Sequence, residues 1–287
     1  MSFPDLLAAD AVRVQARLDR ALAPYPDLPV IQAMRYAVQG GKGLRGFLVL
    51  ESARSFKIAP DRAISAAAAV EALHAYSLIH DDLPCMDDDD LRRGLPTVHR
   101  KWDEATAVLA GDALQTLAFD LLTDPALGTA DTRIALVQAL SSASGVQGMV
   151  LGQALDIAAE TSPPLTLDQI AALQSAKTGA LIRFAAEAGA LLAGADPTAL
   201  RAYADALGQA FQITDDILDV TGDPARAGKR LHKDAAAGKA TFVSLLGLPA
   251  ARHRAAALIA QAEAALAPYP ATENLIAAAR FVLQRDA

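Results

Sequence analysis

The apolar residues of this chain recur mostly at helical spacing, in runs of alanine and leucine separated by clusters of proline and glycine. Apolar positions three and four residues apart lie on one face of an α-helix, and alanine and leucine are strong helix formers. Hydrophobic residues make up 53% of the sequence but aromatic ones only 5%. The pattern predicts an all-α protein of roughly ten or more helices, and because no change in composition divides the chain, a single domain over residues 1–287.

The predicted helix boundaries fall where proline and glycine cluster. Thr166 and Gln169 predict a capping box, and Asp196 before Pro197 predicts an N-cap followed by proline in the first turn. The predicted breaks are 24–29, 124–130, 161–164, 194–197, 221–238 and 268–270. The segment 221–238 is rich in glycine, lysine and arginine and long for a connection, so we expect a functional loop that closes over a bound ligand.

The overall charge excludes one class of partner. The formal net charge is -7 and the pI is near 5.2, so the chain has no basic surplus with which to bind nucleic acid. The single cysteine, Cys85, cannot form an intramolecular disulfide, and the N-terminus lacks the basic start and apolar stretch of a signal peptide, which predicts a cytoplasmic protein. Charged or polar residues such as Glu71, His74, Arg183 and Glu187 interrupt the apolar stretches, so no membrane span is expected.

Two aspartate clusters interrupt the helical pattern. In the second cluster Asp215 and Asp219 are four residues apart and share a helix face, with Asp216 beside them. Packed carboxylates repel one another unless a cation joins them, and carboxylate, water and phosphate oxygens are ligands that Mg²⁺ prefers. The first cluster contains Asp81, Asp82, Asp87, Asp88, Asp89 and Asp90. Basic residues follow each cluster, namely Arg92 and Arg93, then Lys229, Arg230, Lys233 and Lys239. Carboxylates that can bind a metal ion, beside basic side chains that can bind phosphate, predict a diphosphate site.

Five motifs occur in a fixed order along the chain. They are GGKGLR at 40–45, EALHAYSLIHDD at 71–82, LRRGLPT at 91–97, KTGA at 177–180 and FQITDDILD at 211–219. Together they resemble the motifs of the trans-isoprenyl diphosphate synthases, in particular the bacterial farnesyl diphosphate synthases. One aspartate motif alone would be weak evidence, whereas the ordered set is specific. The resemblance extends from about residue 40 to about residue 246.

This resemblance implies a helical bundle around a central active-site cavity and a head-to-tail prenyl transfer. An allylic diphosphate, dimethylallyl or geranyl, ionises with the help of roughly three Mg²⁺ ions, the double bond of isopentenyl diphosphate attacks the cation, and a proton leaves. It also implies a homodimer. By the resemblance, the Mg²⁺ ligands are Asp81, Asp87 and Asp215, with Asp82, Asp216 and Asp219 as further ligands or supporting groups. The allylic diphosphate would be held by Arg92, Lys177, Lys229 and Lys239, with Thr178 and Gln212 near the reacting carbon. The isopentenyl diphosphate would be held by Lys42, Arg45, His74 and Arg93.

Some of these residues have ordinary structural interpretations. Lys42 and Arg45 could be solvated helix charges, and His74 could be a core histidine. Lys177 could extend from an apolar helix to reach water. The sequence Lys-Thr-Gly that begins there weakens a helix, however, and predicts a kink.

Tyr76 and Ser77 are candidates for the residue that limits product length. Tyr76 precedes Asp81 by five residues, about 7.5 Å along a helix, whereas Ser77 shares the face of Asp81. Geometry leaves both open. The resemblance favours Tyr76, because an aromatic there with two extra residues in the first acidic motif is the pattern of bacterial farnesyl synthases. A fifteen-carbon product is expected, with geranylgeranyl diphosphate as the alternative, and Tyr76→Ala is expected to lengthen the product.

The chain departs from the family pattern at five positions. A basic residue, proline, glycine, glycine and proline are common where this chain has Gly43, Gly46, Leu151, His232 and Val243, respectively. None of these departures removes a proposed ligand. We expect these departures to change the rigidity of the loops or the rate of the reaction rather than to abolish activity.

The sequence argues against three other functions. A di-iron carboxylate bundle needs two Glu-x-x-His motifs, and the chain has one, at Glu71 and His74. A class I terpene cyclase typically carries a mixed second acidic motif and needs no second diphosphate site. A non-catalytic partner subunit could lose aspartates, and this chain retains them.

Overall fold

The computed structural model of the protein describes residues 2–221 and 240–284. The helices are α1 (Phe3–Leu22), α2 (Pro29–Ala37), α3 (Leu44–Ser55), α4 (Pro60–Asp81), α5 (Val98–Lys101), α6 (Glu104–Leu121), α7 (Ala130–Ser144), α8 (Met149–Ala159), α9 (Leu167–Gln174), α10 (Ala180–Ala193), α11 (Thr198–Thr221), α12 (Phe242–Leu246), α13 (Leu248–Ala265) and α14 (Glu273–Leu283). A 3-10 turn spans Pro125–Leu127, and a π-helical turn spans Ser175–Gly179. The all-α prediction is confirmed.

The helix boundaries follow the proline and glycine clusters. A helix ends at each predicted break within the described residues, and the Thr166–Gln169 capping box is present. Asp196 Oδ1 accepts a hydrogen bond from the Thr198 backbone N–H at 3.0 Å, which caps the start of α11. The predicted loop 221–238 lies, apart from Thr221, outside the described residues. The sequence prediction missed the break at 145–148 between α7 and α8.

The middle of the bundle is built around α4. Residues 66–70 of this helix are fully buried on all sides, as expected of a central helix rather than an amphipathic surface one. It packs against α3 and α6, while α10 packs against α3 and α7, and α11 packs against α13 and α10. Small side chains permit these close approaches: Ser52 Oγ of α3 accepts a hydrogen bond from the Gly189 N–H of α10 at 3.0 Å.

A short hairpin follows α4. Strands β1 (Leu91–Arg92) and β2 (Leu95–Pro96) pair antiparallel, with Arg92 opposite Leu95. The two connecting residues, Arg93 and Gly94, have φ of 55° and 75°, the left-handed backbone that a tight two-residue hairpin turn requires. The hairpin thereby turns the chain back immediately after the first aspartate cluster.

One apolar segment was overlooked in the sequence. No charged residue lies between Arg133 and Asp156, and a window within residues 130–159 has a mean hydropathy of 1.4, long and apolar enough by length and composition to cross a membrane. The expectation that charges interrupt every such stretch was therefore wrong here. The segment is two helices, α7 and α8, broken at 145–148, and 28% of the window is buried.

Candidate active site

The first aspartate cluster begins where α4 ends. Asp81 is the last residue of the helix and Asp82 its C-cap, and the following turn returns so that the Asp87 N–H donates to the Asp81 carbonyl at 2.9 Å. Asp82 is buried, and its carboxylate accepts from Arg92 Nε at 2.9 Å and also from Arg92 Nη2. Asp81 is partly exposed and Asp87 exposed. Asp82 thus holds Arg92, and the other two carboxylates face outward.

Asp81 occupies an environment that disfavours its charge. Burial raises the pKa of Asp81 to about 6; the Lys177 and Arg92 cations lower it, whereas the Asp87 and Asp82 carboxylates raise it further. A carboxylate in this position gains more from a bound cation than a solvated one does, because the cation offsets both burial and like-charge repulsion.

The second cluster lies near the end of α11. Asp215 and Asp219 are partly exposed, while Asp216 is 5% exposed. Asp216 Oδ1 accepts from Gln212 Nε2 at 3.0 Å, and its Oδ2 accepts from the Phe242 backbone N–H at 2.9 Å, at the first turn of α12. Asp216 therefore joins α11 to α12. The sequence left two roles open for Asp216, metal ligand or supporting group. Its hydrogen bonds favour the role of a supporting group.

The structure does not assemble a complete metal site. Within residues 2–221 and 240–284, no three histidine, cysteine, aspartate or glutamate side chains lie close enough to hold a metal ion. The donor chemistry nevertheless fits Mg²⁺, because Asp87 is exposed, Asp81, Asp215 and Asp219 are partly exposed, and carboxylate oxygens are ligands that Mg²⁺ prefers. Convergence of the two clusters on one set of ions remains a prediction.

Lys177 and Thr178 lie in the π-helical turn, which is the irregularity predicted from Lys-Thr-Gly. A π turn adds a residue to the helix and often occurs at functional sites. This turn packs against α8 and α11, and Lys177 Nζ donates to Asp156 Oδ2 at 2.7 Å. Asp156 was missed in the sequence because nothing in its local spacing marks it. Gln153 Nε2, one turn earlier on α8, is buried without a hydrogen-bond partner among the described residues.

A second group of charges surrounds the glycine-rich loop before α3. The Arg93 guanidinium lies against this loop: its Nη1 donates to the Gln39 carbonyl at 3.2 Å, and its Nη2 is 2.7 Å from where a Cβ on Gly41 would be. Any side chain at Gly41 would therefore displace Arg93. Arg45 Nε is buried and, in the part of the chain that the structure describes, has no hydrogen-bond partner. That orphaned donor contradicts the reading of Arg45 as a solvated charge.

His74 faces the same group. Burial, followed by the Arg45, Arg93 and Arg92 cations, holds the pKa of His74 well below its usual range, so the imidazole is neutral at physiological pH. Lys42, at the exposed end of the loop, lies 5.9 Å from the centre of the Phe281 ring. Arg45 and Arg93 supply the cations of this group, and the neutral His74 imidazole lies beside them.

Glu71 is the other residue that the sequence did not assign here. Its Oε1 accepts from the Gly46 N–H at 2.8 Å, one of the N-terminal donors of α3 that has no partner within the helix. Gly46, where the family commonly has proline, supplies that N–H. Gly43 has a φ of 62° as the N-cap of α3, a conformation that a basic residue would adopt only with strain. Val243 is buried in α12.

The product-length candidates lie on α4. Tyr76 and Ser77 are both partly buried, and Ser77 Oγ donates to the His74 carbonyl at 2.9 Å. Four of the basic residues singled out in the sequence, together with one departure, fall outside the described residues: Lys229, Arg230, Lys233, Lys239 and His232.

Comparison with known proteins identifies the family. Residues 29–269 match the family model described as polyprenyl synthetase, and the chain belongs to this family. It is 48% identical to the farnesyl diphosphate synthase of Escherichia coli over all of both chains.

Two solved structures share the fold. An apo FPP/GFPP synthase from Zymomonas mobilis has a TM-score of 0.87 and 45% identity, covering 96% of this chain and 98% of that one. A geranyltransferase from Helicobacter pylori, complexed with magnesium and isoprenyl diphosphate, has a TM-score of 0.84 and 35% identity, covering 99% of each chain.

Proposed function

We propose that this protein is a prenyltransferase of isoprenoid biosynthesis that condenses isopentenyl diphosphate with dimethylallyl or geranyl diphosphate to give farnesyl diphosphate and pyrophosphate. One observation carries the proposal: two charged clusters of different composition meet at the hairpin, where Arg92 belongs to the first and the adjacent Arg93 to the second. Carboxylates with Lys177 and Arg92 form the first, and Arg45, His74 and Arg93 form the second. The full-length identity to a farnesyl diphosphate synthase supports the same conclusion.

The two clusters suit different diphosphates. In the first, exposed carboxylates beside cations suit a diphosphate that arrives with Mg²⁺, and bound Mg²⁺ would stabilise the charge that develops on the leaving diphosphate. Asp81, Asp87 and Asp215 are the proposed ligands, with Asp219 beside them. In the second cluster the cations Arg45 and Arg93 and a neutral imidazole outnumber the one carboxylate beside them, Glu71, which already accepts the Gly46 N–H; this balance suits a diphosphate without metal.

The remaining residues have supporting roles in this proposal. Asp82 orients Arg92 toward the allylic diphosphate, and Asp156 orients Lys177. Thr178 and Gln212 lie on the elements next to these groups and face the reacting carbon. Lys229 and Lys239 complete the allylic side, and Lys42 closes the isopentenyl side. No protein nucleophile takes part, because the isopentenyl double bond is the nucleophile and the diphosphate is the leaving group.

The product is proposed to have fifteen carbons, with Tyr76 as the floor of the pocket. Burial, then the Asp81 and Asp112 charges, raises the pKa of Tyr76, so its ring lies where water is partly excluded, as a surface beside an apolar tail would. Geranylgeranyl diphosphate is the alternative product.

The protein is further proposed to act in the cytoplasm as a single-domain homodimer with roughly three Mg²⁺ ions per site. Exposed apolar side chains on α6 and α8 support the dimer: Val108 is 40% and Leu109 58% exposed, and Val150, Leu151 and Leu155 are similarly exposed. A second copy of the chain would cover such surface. Leu109→Glu is expected to give a monomer in sedimentation velocity.

The central test is a condensation assay with the purified protein. Labelled isopentenyl diphosphate, Mg²⁺ and each allylic primer should give a fifteen-carbon product and pyrophosphate, and chelator should abolish both. Pyrophosphate release without isopentenyl diphosphate would instead favour a cyclase, and no turnover with any primer would favour a non-catalytic subunit.

A further inference from the structure

His80 connects the proposed floor of the pocket to the neighbouring helix. The His80 and Tyr76 rings are one turn apart on α4, with their centroids 5.1 Å apart and their planes at 80°. Such an edge-to-face contact contributes about 0.5–1.5 kcal/mol beyond the area that it buries, and it restricts the rotation of both rings. Tyr76 is therefore held by a neighbour that carries no assigned role.

His80 is itself fixed by α6. Its Nε2 lies 3.1 Å from the Val108 carbonyl oxygen, and because a carbonyl only accepts hydrogen bonds, Nε2 is the protonated nitrogen. Gly111 lies directly beneath the ring: a Cβ there would be 2.1 Å from His80 Nε2 and 2.4 Å from Cδ2. The glycine thus provides the space that the imidazole fills between α4 and α6.

The helix geometry explains why Tyr76 needs this support. At about 100° per residue, its Cα direction is about 140° away from that of Asp81, so a ring at this position does not point along the metal-binding face by default. His80 is about 40° from Tyr76 on the same helix and lies on its α6 side. Tyr76 lies close enough to Asp112 of α6 for that charge to raise its pKa, so both rings lie on the α6 side of α4, and the edge of the His80 ring limits how the Tyr76 ring can turn.

We propose that His80, seated over Gly111 and fixed by the Val108 carbonyl, is a specificity-determining positioning residue that holds the Tyr76 ring across the product pocket. This rests on the proposed function and on Tyr76 as the floor. It extends the determinant of product length from one side chain on α4 to a contact between α4 and α6.

The test is a double-mutant cycle read by product length. His80→Ala is expected to raise the ratio of twenty- to fifteen-carbon product by about three- to tenfold, the effect of losing one aromatic contact. Tyr76→Ala is expected to raise it more. The double variant should match Tyr76→Ala, because without the tyrosine ring the histidine has nothing to hold.

Two further variants separate positioning from stability. His80→Gln keeps a donor within reach of the Val108 carbonyl but lacks the ring, so it should lower the melting temperature less than His80→Ala does and still lengthen the product. Gly111→Ala should act in the same direction by displacing the ring. His253→Ala, an exposed histidine on α13, is the matched control and should leave the ratio unchanged.

The outcomes are distinguishable. If wild type makes the fifteen-carbon product and Tyr76→Ala lengthens it, while the His80 variants only lower kcat at an unchanged product ratio, His80 is merely structural and the inference is wrong. Additive effects of Tyr76→Ala and His80→Ala would also overturn it. A wild-type protein that makes no condensation product contradicts the proposed function instead.

Discussion

The two aspartate clusters divide their work in the same way, although one lies in a turn and the other in a helix. Each has one buried carboxylate, Asp82 or Asp216, that hydrogen-bonds within the protein, and each keeps other carboxylates exposed. The partners differ. Asp82 holds the Arg92 guanidinium, whose side chain is 34% exposed, whereas Asp216 holds an amide and a backbone N–H.

This difference separates two uses of a buried acid. A carboxylate paired with a partly exposed guanidinium fixes a cation that is available to a phosphate, so its loss should affect substrate binding as well as folding. A carboxylate that accepts from a neutral side-chain amide and from a backbone N–H at a helix N-terminus joins two helices and holds no cation in these bonds. The less buried carboxylates, in contrast, are the proposed metal ligands, so their loss should affect catalysis more than stability.

The largest effect is expected at the exposed carboxylates. Asp81→Ala and Asp215→Ala should each lower kcat by roughly 100-fold or more, the size of losing one preorganised electrostatic contact, with a smaller loss of melting temperature than Asp216→Ala causes. Steady-state kinetics with saturating Mg²⁺ and thermal unfolding provide the measurements. Asp120→Ala, an exposed aspartate near the end of α6, is the control. Near-normal rates in either variant would remove that residue from the metal site.

Loss of a buried carboxylate should instead lower stability more than kcat. Asp216→Ala should lower the free energy of unfolding by about 3 kcal/mol, because two charge-assisted hydrogen bonds are lost. Urea denaturation measures this.

Asp82→Ala should cost less stability than Asp216→Ala, since water reaches part of Arg92, but it should raise the KM for the allylic substrate. An unchanged KM in a folded Asp82→Ala protein would show that the two buried acids do the same work.

The pH dependence of stability should distinguish Asp81. Its folded pKa of about 6 lies above the ordinary 3.8, so the folded state binds a proton more tightly than the unfolded state. Without metal, the wild type should therefore gain stability relative to Asp81→Asn as the pH falls from about 7 to about 4.

The full pKa shift would give the wild type at most about 3 kcal/mol in free energy of unfolding relative to Asp81→Asn. A gain of about 2 kcal/mol is expected because the carboxylate is partly exposed. Urea denaturation of both proteins in chelator across this range is the test. A difference that stays constant with pH would mean that Asp81 titrates normally.

The smallest effect is expected at Gln212. Gln212→Leu removes one hydrogen bond to Asp216 and should lower the free energy of unfolding by about 1 kcal/mol, while Asp216 keeps its bond to the Phe242 N–H. The loss in kcat should remain under about tenfold. A larger kinetic loss with little change in stability would assign Gln212 a direct role at the reacting carbon.

The helices and their boundaries were predictable because the signals for them are local. Thr166 and Gln169 are three residues apart, and proline and glycine act on their own backbone, so the sequence contains the whole interaction. The break at 145–148 was missed although its two glycines are such a local signal, because they lie inside a long uncharged segment.

The sequence by itself determined which side chains the clusters contain, and their types and spacing predict a hard-cation site. Only the tertiary structure decided which aspartates are buried, that Asp156 pairs with Lys177, and that Glu71 caps α3. The physical reason is that burial and hydrogen bonding join residues from helices far apart in the chain. No local pattern contains a contact whose two partners are brought together only by packing.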